Sequence, residues 1–294
     1  MIKVLTFTSL FPNSIQPRHG VFVRNRLEQL VKNGNVESIV VAPVPWFPFR
    51  NKIFGQYSQY ACIPLSEEIN GIVVFHPRYI NIPKIGMNLS PWLMVVGVKR
   101  LLKKIRKDGY DFDLIDAHYF YPDGVVAVKL GEIFGRPVSI TARGSDINVI
   151  SKYRYPGRLI LNASRKASTI ITVSQSLKDG IVEMGVPENK IQVLRNGIDL
   201  QKFIPPNDRS ALRSSLGISG LTILSVGNLI ELKGHHLIIE AIANIPDARL
   251  QIIGQGPEEN NLKNLASRLG LQNRVDFLGY IPHEKLKDYY GASD

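Results

Sequence analysis

Ser225-Val226-Gly227-Asn228-Leu229-Ile230-Glu231-Leu232-Lys233-Gly234-His235-His236-Leu237-Ile238-Ile239-Glu240-Ala241 decides the reading of this chain. A short apolar run ends at Val226 and predicts a buried strand. Gly227 lets the backbone turn. A loop carrying Lys233 follows, and Gly234 opens an amphipathic helix. The N–H groups at such a helix start, with the positive end of its dipole and a lysine ammonium, form a seat for a diphosphate.

Outward from this stretch the pattern repeats. Apolar runs at Lys3–Thr8, Ser38–Ala42, Gly71–Phe75, Leu114–Ala117, Pro137–Thr141, Thr169–Val173 and Ile191–Leu194 read as strands. Helical patterns at Val21–Lys32, Pro91–Lys107, Asp123–Phe134 and Ser174–Met184 lie between several of them. Continuous apolar strands separated by helices predict an α/β fold with a parallel sheet covered on both faces. After the polar, proline-rich Phe203–Asp208 the alternation restarts with strands at Thr222–Val226, Arg249–Ile253 and Val275–Phe277. The corresponding helices are His235–Ala243, Glu258–Leu269 and His283–Tyr290. Two Rossmann-like domains facing a cleft are expected, 1–205 and 206–294, the second with about three strands where a doubly wound domain has five or six.

Composition narrows the partners. The 294 residues carry a net charge of +11, which points to nucleic acid, an anionic membrane face or phosphorylated small molecules. Lys99, Arg100, Lys103, Lys104, Arg106 and Lys107 crowd one amphipathic helix within 91–107, whose apolar positions Met94, Val98, Leu101, Leu102 and Ile105 read as a core face. The charges then face either plain solvent or an anionic membrane surface. No nucleic-acid recognition motif accompanies them, so nucleic acid is not an expected partner. The single cysteine, Cys62, excludes an intrachain disulfide. Met1–Thr8 reads as a first strand, not a signal peptide, and no run approaches the ~18 apolar residues of a membrane span.

Ile252-Ile253-Gly254-Gln255-Gly256-Pro257 fails the dinucleotide fingerprint, because Glu259 stands where the third glycine belongs. The order of motifs instead resembles the family 4 glycosyltransferases, retaining enzymes of the GT-B fold. Val226–Ala241 resembles the first strand, loop and helix of that family's donor domain, with Asn228 in place of its usual arginine. The resemblance implies that Asn228, Lys233, Gly254, Gly256 and the backbone of Tyr280 and Ile281 bind the nucleotide-sugar donor, with Gly20 approaching the donor phosphate from the first domain. His118, in Asp116–Gly124, matches the histidine beside the transferred sugar and is the candidate catalytic residue. Arg18, His19, Arg143 and Asp146 fall on the acceptor side. Arg143 stands where the family often has histidine, and Asp146 reads equally as a helix cap.

The implied activity is transfer of a hexose-type sugar from a nucleotide sugar to a glycan or lipid-linked acceptor, without a metal or other cofactor. Trp46-Phe47-Pro48-Phe49, with Lys52, Phe54 and Tyr57, forms an aromatic loop that fits a lipid-linked acceptor at the cytoplasmic membrane face. The protein is thus expected in the cytoplasm, peripheral on the inner face. The Pro-Ser and paired glutamates that grip the donor in the family have no counterpart before Asp294, so these 294 residues are expected to be inactive alone. The alternative is a truncated, non-catalytic homologue that binds acceptor or serves as a partner subunit.

Overall fold

The computed structural model describes residues 1–81 and 86–294. The chain forms two compact units, Met1–Gly197 and Ile198–Asp294.

In the first unit the chain runs β1 (Ile2–Phe7), α1 (Val21–Lys32), β2 (Val36–Val41), β3 (Val44–Pro45), α2 (Gln56–Cys62), β4 (Ser66–Ile69), β5 (Ile72–Phe75), β6 (Arg78–Tyr79) and α3 (Gly86–Lys107). It continues through β7 (Leu114–His118), α4 (Val125–Phe134), β8 (Val138–Ala142), α5 (Ser145–Asn148), α6 (Arg154–Lys166), β9 (Thr169–Thr172), α7 (Gln175–Glu183) and β10 (Ile191–Val193). The main sheet has the order β10-β9-β8-β7-β1-β2-β5-β4. Only β4 runs antiparallel, paired to β5 through a hairpin; β3 and β6 form a separate parallel pair.

Every parallel strand needs a crossover, and the crossovers cover both faces. One face packs Leu5, Ile115, Ala117 and Ile140 against α3, α4 and α6, with Met94, Val98, Leu102, Leu130 and Ile160 fully buried. The other packs Val40, Ile72 and Val74 under Val23 and Leu27 of α1. The strand order reverses beside β1, because β2 leaves on one side and β7 on the other. Crevices for ligands open at the C-terminal ends of strands flanking such a switch point.

Helix α3 differs from the sequence expectation. It begins at Gly86, with Pro91 inside it. Proline has no N–H for the carbonyl one turn back, at Met87. The Tyr121 hydroxyl donates to that carbonyl instead, so a side chain distant in sequence replaces the missing backbone bond. Short elements gave no clear period in the sequence: β4 alternates exposed and half-buried residues, and β3 and β6 are two residues long each.

The second unit holds α8 (Arg209–Ser215), β11 (Leu221–Val226), α9 (His235–Ile242), β12 (Ala248–Ile253), α10 (Glu259–Arg268), β13 (Val275–Gly279) and α11 (His283–Ala292). Its strands are all parallel in the order β11-β12-β13. Leu250 and Ile252 pack with Ile239, Ile242, Leu262 and Ala266 from α9 and α10. Pro205 and Pro206 lie within this unit, where Pro206 packs beside Gly291 of α11.

Candidate functional site

In the first unit, residues from β1, β7 and β8 meet at the C-terminal edge of the sheet. Asp116 and His118 are two apart on β7 and share a face. His118 is 2% exposed. Its Nε2 lies 3.3 Å from Asp116 Oδ2, and its Nδ1 lies 2.8 Å from a terminal guanidinium nitrogen of Arg143. The other terminal nitrogen of Arg143 donates to Asn196 Oδ1 at 3.0 Å, and the guanidinium carbon sits 4.9 Å from the centre of the Phe22 ring. Arg26, from α1, donates to Thr141 Oγ1 at 3.3 Å.

The charge states follow from this packing. Burial, then the guanidiniums of Arg143 and Arg26, hold the His118 ring below its usual value against the pull of Asp116. Burial would raise the Asp116 carboxyl, but His118, Arg26 and the Ser139 hydroxyl outweigh it and hold it below the carboxylate range. Burial lowers Arg143 to about 10, with Arg26 acting in the same direction.

Two carboxylates brace the loops around His118. Asp146 is buried and accepts backbone N–H groups from Phe120 at 2.8 Å, Gly144 at 2.7 Å and Arg143 at 3.1 Å. Its oxygens are thus engaged by the turn after β8 and by the residue two beyond His118. Asp123 Oδ2 accepts from Ser9 N at 2.7 Å, Ser9 Oγ at 2.9 Å and Thr8 Oγ1 at 3.4 Å, while Oδ1 has no partner among the described residues. Burial raises the Asp123 carboxyl to about 7. The single Thr8 hydroxyl proton is shared between Asp123 Oδ2 and the His118 carbonyl, the latter at 3.1 Å. Tyr119, the next residue, holds a φ of 82°, a conformation that costs a non-glycine residue on the order of 1–3 kcal/mol. Its hydroxyl lies 2.6 Å from Ser145 Oγ.

Gly20 precedes α1 in the left-handed region (φ 69°), and no side chain caps the helix. A Cβ there would collide with the Leu10 carbonyl, so glycine lets the loop after β1 lie across the helix start. Arg18 and His19 are exposed on that loop, and the His19 ring reaches the Ser9 carbonyl at 3.0 Å. The structure therefore gathers His118, Arg143 and Asp146 tightly, with Gly20, His19 and Arg18 on the loop that Asp123 anchors. Sequence reading missed Asp116, Asp123, Arg26 and Asn196. Only Asp116 had a local signal, the i, i+2 alternation of a strand ending in histidine.

In the second unit the three parallel strands deliver three loops to one edge. Lys233 and Asn228 are exposed on the first, and Gly234 (φ 67°) starts α9 without a side-chain cap. A Cβ on Gly254 (φ 152°) would overlap the Gly227 carbonyl, and one on Gly256 would overlap the Leu229 backbone. Backbone bonds then join the loops: Gly227 N to Ile253 O at 2.9 Å, Leu229 N to Gln255 O at 3.0 Å, Glu258 N to Leu229 O at 3.0 Å and Gly254 N to Gly279 O at 2.8 Å. The Gly-Gln-Gly turn thus serves first to stack loop on loop. Tyr280 is exposed and Ile281 half-buried just past Gly279. His235 is buried against Gly227, with Nδ1 2.9 Å from Ser225 Oγ and no partner on Nε2 among the described residues.

The model of Glycosyltransferase Family 4 matches residues 19–202, well over half of the chain. The chain belongs to glycosyltransferase family 4. The model of Glycosyl transferases group 1 matches 208–294. A family relative named for teichuronic acid biosynthesis, TuaC of Bacillus subtilis (strain 168), is 27% identical over 299 residues, 100% of this chain and 74% of the relative. The D-inositol 3-phosphate glycosyltransferase of Corynebacterium urealyticum is 27% identical over 300 residues, 94% of this chain and 67% of the relative. Among solved structures, Anabaena HepE in complex with UDP shares the fold with a TM-score of 0.70 at 21% identity, over 100% of this chain and 72% of HepE. Sucrose-phosphate synthase from Thermosynechococcus elongatus does so at 0.74 and 18%, over 100% and 74%. The fold of this family 4 chain is GT-B, and family and fold together identify it as a nucleotide-sugar glycosyltransferase.

Proposed function

We propose that the protein takes a hexose-type sugar from a nucleotide-sugar donor and transfers it, with retention at the anomeric carbon, to a glycan or lipid-linked acceptor in polysaccharide or glycolipid biosynthesis. The observation that carries the reading is the loop edge of the second unit. Exposed Lys233, an uncapped helix start at Gly234, and backbone loops pressed together by Gly254 and Gly256 form a preorganised positive seat for a leaving diphosphate. Asn228 adds a neutral donor there, and Tyr280 and Ile281 present backbone to a base. HepE supports the donor class through its complexes with UDP and with UDP-glucose. The positive charge this chain offers the leaving group comes from Lys233 and the α9 amides. By this reading His118 is the residue that contacts the sugar, Gly20 lets the loop after β1 pass close to the donor phosphate, and Arg18, His19, Arg143 and Asp146 belong to the acceptor side.

The acceptor surface fits an anionic membrane face, in keeping with a cytoplasmic, peripheral protein. Helix α3 carries a solvent-facing stripe of Trp92, Val96, Lys99, Lys103 and Lys107, apolar at one end and cationic at the other. Among the described residues, Lys99, Arg100, Lys103, Lys104 and Lys107 form no ion pair with a carboxylate. Phe47, Phe49, Phe54 and Tyr57 cluster with ring centres 5.3–6.0 Å apart, and Phe49 is 55% exposed. No helix among the described residues is long and apolar enough to cross a membrane.

Calorimetric titration with UDP and GDP, together with release of sugar from UDP-glucose and GDP-mannose, tests the reading. Binding of at least one nucleotide is expected. An absence of heat with both, and of turnover with both sugars, would leave an acceptor-binding module instead.

A further inference from the structure

His118 is clamped between partners of opposite charge, and the chemistry of the two partners fixes where its proton is. Arginine has only N–H donors. At 2.8 Å from the guanidinium, Nδ1 must therefore present a lone pair. The ring's single proton is then on Nε2, facing the Asp116 carboxylate at 3.3 Å. A carboxylate buried beside histidine ordinarily draws a second proton onto the ring. Here that proton has no position to occupy, because a guanidinium hydrogen already holds the Nδ1 side.

The surroundings agree. The charged or titratable groups on the elements packed around the ring are Asp116 on β7, Arg26 on α1, Arg143 on the turn after β8, Asp146 on α5, and Asp123 after β7, which is turned onto Ser9 and Thr8. Asp146 is turned onto three backbone N–H groups, which leaves Asp116 as the one carboxylate on the ring among the described residues. Arg143 is itself fixed by Asn196 at 3.0 Å, by the Phe22 face and by its own N–H to Asp146. We propose that Arg143 is a positioning residue that holds His118 as the neutral, Nε2-protonated imidazole, with Asn196 and Phe22 as its brace. Given the reading of His118 as the residue beside the sugar, the arrangement has a use. Sugar transfer passes through a transition state with positive character at the ring carbon, and an imidazolium beside it would oppose that charge.

The ring can be read without any substrate, so the test does not depend on the proposed activity. The full chain is labelled with ¹⁵N-histidine, and long-range ¹H–¹⁵N spectra are followed from about pH 5.5 to 8, a range spanning the ordinary histidine value of ~6.5. His118 is assigned as the ring lost in His118→Gln. The wild type is expected to show a pyridine-type Nδ1 signal and a protonated Nε2, unchanged across the range. In Arg143→Met the pyridine-type signal disappears on the acid side as an imidazolium forms, and Arg143→Lys, which retains a cationic donor, restores it. A protonated Nδ1 in the wild type, or a Met variant whose ring never titrates, overturns the proposal. Should the Met variant not fold, Asn196→Ala combined with Phe22→Leu keeps the guanidinium and removes both parts of its brace; the ring must then titrate within the range, and failure to do so is equally decisive.

Discussion

Asp123→Asn should change how the stability of the first unit depends on pH, in a direction the structure fixes. The carboxyl is fully buried, and burial places it near 7 in the folded chain, against ~3.9 unfolded. Three donors from Thr8 and Ser9 converge on Oδ2 and, among the described residues, none reaches Oδ1, so the native proton belongs on Oδ1. Asparagine reproduces that neutral acid, its carbonyl in place of Oδ2 and its amide nitrogen in place of the protonated oxygen. Between the two values the folded wild type binds a proton that the unfolded chain has released. Stability of the wild type therefore falls as pH rises from about 4 to 7, with a ceiling of roughly 4 kcal/mol for the ~3-unit difference. The Asn variant lacks this loss. Relative to wild type it should gain roughly 2–3 kcal/mol between pH 5 and 7, as an upper bound. Urea melts read by tryptophan fluorescence are selective, because both tryptophans, Trp46 and Trp92, lie in the first unit. A stability difference between the two proteins that stays flat with pH, or moves in favour of wild type, would refute the buried protonated acid.

Lys233→Ala should weaken UDP or GDP binding by about 1.5–3 kcal/mol, the range for a hydrogen bond to a charged group, on the order of 10- to 100-fold by calorimetry; unchanged affinity would remove Lys233 from the seat. Gly256→Ala should destabilise the second unit by about 2 kcal/mol or more in hydrogen-exchange protection of β11 and β12, since its methyl must part the Leu229 loop and loosen two backbone bonds of 3.0 Å; wild-type protection would contradict the stacked-loop account. Replacing Lys99, Lys103 and Lys107 together by alanine removes about 1 kcal/mol of anionic-membrane attraction per charge. Co-sedimentation with phosphatidylglycerol vesicles should fall on the order of 100-fold, while indifference to lipid charge and salt would dismiss α3 as a membrane surface.

The architecture was legible because burial on both sides forces apolar strands into continuous runs, and helix α1 could be bounded correctly at Val21–Lys32 from its period alone. The start of α3 was not legible. A proline ordinarily ends a helix, and nothing near Pro91 in sequence announces that Tyr121 will donate to the Met87 carbonyl. The same holds at the site. His118 and Arg143 stand out at strand ends, but Asn196, Arg26 and Asp123 matter through contacts across 53, 115 and 114 residues of chain, and pattern reading has no access to such pairs.

Gly254 and Gly256 show how a motif can have a physical cause other than the one it suggests. Their pattern reads as a place where backbone approaches a nucleotide, yet in the structure each glycine faces backbone of the loop after β11. Under the proposed function the two roles are compatible. A loop that presents amides to a diphosphate must not relax when the charge arrives, because preorganised dipoles stabilise a leaving group only if they need no reorientation. Pressing the second loop onto the first, with backbone bonds at 2.9–3.0 Å between them, supplies that rigidity without placing any side chain in the way. Under the proposed function, Asn228 in place of an arginine then has a consistent meaning. With a fixed amide frame and Lys233 at the helix start, the seat depends less on a second flexible cation, and the affinity lost with Lys233 should be correspondingly larger than that lost in Asn228→Ala.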